Sequence, residues 1–91
     1  MMIQNTHLGN LSSAQQLLVS NELDARGLVY PFSLIQAKKL LDGMKSGDML
    51  HIITTDPHSV KDFDNFTKQT GHVLMSADKV NDRFEFYIKH K

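Results

Sequence analysis

The sequence predicts an α/β (α+β) fold: a two-layer sandwich in the order β-α-β-α-β-β, with a four-stranded mixed sheet and two helices on one of its faces. Three observations lead there. Apolar residues recur at helical spacing in two stretches, each opening near a proline. Short β-branched or alternating segments stand between and after them. A chain of 91 residues supplies one small core, so two amphipathic helices must share the surface that a single sheet offers.

Residues 1–13 are polar, non-periodic and almost uncharged. They read as a flexible extension, residues 1–15 in all, that gains a short helix around "SSAQQ", with residues 16–91 as the folded domain. In "QLLVSNELDA", Leu17, Leu18, Val19 and Leu23 mark a first strand that runs into a turn at Gly27. Pro31 suits the first helical position, where its missing N–H would have no partner anyway. Leu34, Ala37, Leu41 and Met44 then form one helical face, and Gly43 and Gly47 bracket the exit as a left-handed cap or turn requires. "DMLHIITT" is short and β-branched, a strand buried on at least one side. In "TDPHSVKDFDNFTKQTG", Asp56 is placed to cap a second helix, Pro57 to begin it, Val60, Phe63 and Phe66 to form its buried stripe, and Gly71 to close it. "HVLMSADKV" and "RFEFYIK" flank Asn81-Asp82, a hairpin pair that tolerates positive φ. In the last strand Phe84, Phe86 and Ile88 alternate with Glu85, Tyr87 and Lys89, which predicts one wet face.

Composition excludes several classes of function. Ten basic and ten acidic residues cancel, so no basic field exists to hold DNA or RNA, and direct nucleic-acid binding is not expected. No apolar run approaches the roughly 18 residues of a membrane span, and the first residues do not resemble a secretory signal. A cytoplasmic protein that touches no membrane is the expectation. Zero cysteines remove disulfides, thiolate metal sites and thiol chemistry together.

The chain resembles the TusA (SirA-like) sulfur-carrier family from about Leu18 to Lys89. That family's motif, Leu-Asp-x-x-Gly-x-x-Cys-Pro-x-Pro, stands here as Leu23, Asp24, Gly27, Tyr30, Pro31 and Ser33. Thr55-Asp56-Pro57, then Phe63, Phe66 and Gly71-His72, and the Gly47-Asp48 turn match in order as well. The resemblance implies the same β-α-β-α-β-β sandwich. It also implies a relay function: accepting sulfur as a persulfide from a cysteine desulfurase and passing it on, as in tRNA 2-thiouridine formation. The carrier is the motif cysteine, whose thiolate a helix N-terminus stabilises.

At that position this chain has Tyr30, and Ser33 replaces the second proline. A phenol has a pKa of about 10 and no sulfur, and a methionine thioether has no ionisable S–H. The carrier role does not transfer. The expectation is a non-catalytic, regulatory or scaffolding domain, not an enzyme, that binds a protein partner such as a cysteine desulfurase through the motif loop: Asp24, Arg26, Gly27, Tyr30, Pro31, Phe32 and Ser33. Two aromatics around a proline on a loop suit a binding platform, against the plainer reading that Tyr30 packs on the sheet edge. Two other functions stay open. One is a sulfur-transfer component using a partner's thiol. The other is a small anion-binding module built on the first helix's free N–H groups and Arg26.

The remaining constellations read plainly. His7, His51, His58, His72 and His90 show no metal-ligand spacing, so neither a metal nor any cofactor is expected. Asp24 and Arg26 form a loop-shaping surface pair rather than an acid–base couple. Ser33 lacks a nucleophile elbow and suits capping or bonding within the first helical turn.

Overall fold

The computed structural model describes residues 19–91. The expected extension, its helix at "SSAQQ", and Leu17 and Leu18 lie outside the described residues. The elements are β1 (Val19–Ala25), α1 (Phe32–Asp42), β2 (Met49–Thr54), α2 (Ser59–Thr70), β3 (Val73–Val80) and β4 (Arg83–Lys89). They form one four-stranded sheet in the order β1-β2-β4-β3, with β1 parallel to β2 and the other two pairings antiparallel. Parallel neighbours need a crossover, and α1 supplies it. The mixed sheet and element order are those expected.

The core lies between the sheet and the helices. Leu50 and Ile52 of β2 and Phe86 and Ile88 of β4 meet Ala37 and Leu41 of α1 and Phe63 of α2, all fully buried. Phe63 packs on Phe86 with ring centroids 5.0 Å apart, and Phe66 meets Phe63 edge-on at 6.3 Å.

Several details depart from the pattern reading. The buried stripe of α2 is Ser59, Phe63 and Thr67, with Phe66 half-buried and Val60 exposed. Small hydroxyl residues can occupy core positions here because local carbonyls satisfy them: Ser59 Oγ donates to the Asp56 carbonyl (2.6 Å) and Thr67 Oγ1 to the Phe63 carbonyl (2.9 Å). The helix begins at Ser59 after His58, so Pro57 precedes it and Asp56 does not cap it. On α1 the buried positions are Ser33, Ala37 and Leu41, with Leu34 only partly covered. Gly43 has φ −95° and is no left-handed cap, whereas Gly47 and Gly71 both have φ +88°. Gly71 closes α2, its N–H donating to the Thr67 carbonyl. In the β3–β4 turn Asn81 alone takes positive φ (57°).

The outer face of the sheet is drier than the alternation in β4 suggests. His51 stacks on Tyr87 with centroids 4.4 Å apart, and its Nε2 lies 2.9 Å from Glu85 Oε1. Arg83 Nε approaches Glu85 Oε2 at 3.4 Å without forming a hydrogen bond. Burial, aided by the charges of Glu85, Glu22 and Asp78, pushes the Tyr87 phenol up to about 12.

Candidate functional site

The segment between β1 and α1 holds the motif residues, and backbone chemistry explains its path. Leu28 N–H returns to the Ala25 carbonyl (3.2 Å), closing a turn in which Gly27 takes φ +83°. A side chain at that φ is strained, so glycine fits. Gly27 N–H then donates to Thr55 Oγ1 (2.9 Å), and Tyr30 N–H donates to Asp56 Oδ2 (3.3 Å). Both acceptors lie just past the end of β2, the strand beside β1. The loop is therefore held by the segment that leads into the other helix.

Asp56 joins the two segments. Its Oδ1 accepts the His58 N–H (2.9 Å) and lies 3.0 Å from His58 Nδ1, while Oδ2 takes the Tyr30 amide. The His58 N–H above all, with the His58 ring and the Tyr30 N–H, holds this carboxyl below its ordinary range against the opposing pull of desolvation. Sequence reasoning missed this role because the Tyr30 contact spans 26 positions. The only available signal was the matching Thr55-Asp56-Pro57 stretch.

Asp24 and Arg26 pair as expected, through Arg26 Nε (2.9 Å) and Nη2 (2.8 Å) and the Arg26 N–H (3.1 Å). Hydrogen bonds from the Arg26 side chain first, and its backbone second, bring the Asp24 carboxyl down to about 2. Both side chains are more than half exposed. Pro31 follows a cis Tyr30-Pro31 bond and precedes α1 directly, and the helix start has no side-chain cap. Ser33 therefore does not cap the first turn; it turns inward and is buried, away from the surface formed by its neighbours. Tyr30 (62%) and Phe32 (55%) are exposed, and two residues not singled out from sequence, Val29 (59%) and Ile35 (44%), are exposed beside them. Tyr30 does not pack down on the sheet edge.

A groove of about 200 Å³ opens beside Tyr30, lined by Leu34 of α1 and by Asp62, Asn65, Phe66 and Gln69 of α2. The described histidines fall apart in space: His51 with Glu85, His58 with Asp56, His72 against His90 at 4.5 Å. Among the described residues no group of three or more His, Cys, Asp or Glu could hold a metal ion, and no helix is long and apolar enough to cross a membrane.

The family model described as sulfurtransferase TusA matches residues 21–90. The sulfur carrier protein TusA of Allochromatium vinosum is 54% identical over 68 residues, covering 75% of this chain and 90% of that protein. A putative sulfur carrier protein of Neisseria meningitidis serogroup A is 40% identical over 72 residues, covering 79% of this chain and 97% of its own length. The crystal structure of a SirA-like protein from Desulfitobacterium hafniense superposes with a TM-score of 0.69 at 24% identity, covering 77% of this chain and 96% of that one, and matches the fold. On the family model and the two sequence relatives together, this chain belongs to the TusA sulfur-carrier family.

Proposed function

We propose that this chain is a non-catalytic member of its family that docks onto a protein partner in sulfur relay, through the motif loop and the start of α1. One observation carries the reading. The loop's backbone is anchored at two points, Gly27 to Thr55 and Tyr30 to Asp56, yet the side chain it holds out is an exposed tyrosine in a chain without cysteine. A scaffold that positions a reactive group here presents contact area instead. Val29, Tyr30, Phe32 and Ile35 supply that area, and Asp24, Arg26, Gly27 and Pro31 set its outline. The partner's chemistry is that of a relay protein, a cysteine desulfurase being the first to test.

The anion-binding alternative has less support. Asp24 occupies one edge of the Arg26 guanidinium, through Nε and Nη2, and the Asp56 carboxylate already takes the Tyr30 amide at the helix entrance. Sulfur transfer with a partner's thiol keeps the same docking surface and leaves no added sulfur on this cysteine-free chain itself. It is separated by whether the chain speeds persulfide transfer from the desulfurase to that thiol. The non-catalytic reading is tested directly. The chain is incubated with a desulfurase and cysteine and then weighed by mass spectrometry. The parent should gain no sulfur atom, while Tyr30→Cys should gain one. Sulfur on the parent chain overturns the non-catalytic reading. Desulfurase binding unaffected by Tyr30→Ala removes the docking surface from this face.

A further inference from the structure

We propose that the groove between α1 and α2 receives an arginine side chain of the protein partner; this rests on the docking reading above and specifies what the docked surface recognises. The groove shares Tyr30 with the exposed apolar patch, so a segment lying on that patch reaches it directly. Its volume, about 200 Å³, is below the roughly 300–1,000 Å³ of sites for whole small molecules. It is the room of one side chain.

Its lining is lopsided in charge. Asp62, Asn65, Phe66 and Gln69 stand at i, i+3, i+4 and i+7 along α2 and so share one face. That face carries a carboxylate and two amides but no cation. Of the neighbouring basic side chains, His58, one turn before Asp62, is bonded to Asp56, and Lys38, one turn beyond Leu34 on α1, is paired with Asp42 at 2.9 Å, while the exposed Lys61, one turn before Asn65, does not line the groove. Asp62 itself is half-buried and takes part in no ion pair among the described residues. A half-covered carboxylate left unpaired in an aromatic-walled groove is complementary to a cation brought from outside.

Arginine fits the remaining features better than lysine. Tyr30 and Phe66 line the groove with aromatic rings, the kind of surface on which a planar guanidinium stacks, and Leu34 lines it with apolar surface for the methylenes. Asp62, Asn65 and Gln69 supply acceptor groups on the α2 side of the groove, and a planar five-donor fork can take the carboxylate bidentately while reaching an amide, a geometry the point charge of an ammonium does not match.

The test titrates the full chain, labelled with nitrogen-15, with three capped tripeptides, Leu-Arg-Leu, Leu-Lys-Leu and Leu-norleucine-Leu. The arginine peptide should shift the side-chain amides of Asn65 and Gln69 and the Asp62 backbone amide, and should bind more tightly than the other two. Asp62→Asn should weaken that peptide about tenfold or more with an unchanged melting temperature, and Asp62→Lys should abolish its binding. Equal binding of the norleucine peptide overturns the cation and leaves apolar docking standing. Equal binding of the lysine peptide overturns arginine. No binding of the arginine peptide, or shifts confined to other residues, also overturns the inference, while the docking reading is still judged separately by Tyr30→Ala against the desulfurase.

Discussion

The two helices of this protein begin alike in sequence and differently in space. Each follows a residue and a proline, Tyr30-Pro31 before α1 and Asp56-Pro57 before α2. The entrance to α2 is satisfied within its own segment: Asp56 holds the His58 N–H, and Ser59 Oγ bonds both the Asp56 carbonyl and the buried Thr54 hydroxyl. Neither helix has a side-chain N-cap, but the entrance to α1 depends on the other entrance for its shape, through Thr55 and Asp56. One helix start is therefore structural support, and the other is left free to face a partner. Anchoring a loop from a neighbouring segment frees its own side chains from structural duty: Val29 and Tyr30 point outward, with Phe32 and Ile35 of the first α1 turn exposed beside them.

The largest test of that contrast compares one phenylalanine near each entrance. Phe63 is fully buried, and Phe32 is 55% exposed. Phe63→Ala should cost about 3–5 kcal/mol in urea unfolding, and Phe32→Ala less than about 0.5 kcal/mol. Comparable losses would mean that the α1 entrance is structural too.

Asp56→Ala removes the shared acceptor. It should cost about 1–2 kcal/mol, as the loss of an acceptor for two backbone N–H groups does, and should speed hydrogen exchange at the Tyr30 amide. The pH dependence has a definite sign. The folded carboxyl lies below its ordinary value, so its contribution is complete above the unfolded pKa of about 3.9 and is lost as pH falls through the lower folded pKa. The parent and Asp56→Asn should therefore converge in stability as the pH falls through the lowered folded pKa. An unchanged gap there would remove charge from the role assigned to Asp56.

Tyr30→Ala should change stability by less than about 0.5 kcal/mol yet weaken partner binding by about 1–2 kcal/mol or more, measured by calorimetry. A large stability loss with binding intact would make Tyr30 packing. The smallest effect is expected at the exposed Asp24–Arg26 pair. Asp24→Asn should leave the thermal midpoint unmoved in ordinary buffer, since a solvated surface pair is strongly screened.

Element order was legible because helical and strand periods persist over many residues, and Pro, Gly and Asn mark where they stop. What escaped the sequence was satisfied polarity. Ser33, Ser59 and Thr67 occupy core positions that hydropathy assigns to apolar side chains, while Val60 sits outside. Nothing in a linear pattern says that a carbonyl one turn back will accept the Ser59 or Thr67 hydroxyl. The same blindness affected the outer sheet face, where Tyr87 looked wet by alternation but is covered through His51 on the adjacent strand. At the candidate site the motif loop was found from its residues, whereas its tethers and the α2 side of the groove arise only when distant segments meet.

The register of the sheet also sets how the molecule can be handled. Val19, Met49 and Lys89 lie in one row across β1, β2 and β4, and Ala25, Thr54 and Phe84 lie in another. Five steps of strand, roughly 17 Å at about 3.3 Å each, separate those rows. The strand ends at Val19 and Lys89 are thus at one pole and the motif loop is at the other. A fluorophore, an affinity handle or a sensor surface attached just beyond Lys89 leaves the Tyr30 pole facing solution, and a domain fused there points away from whatever the loop grips.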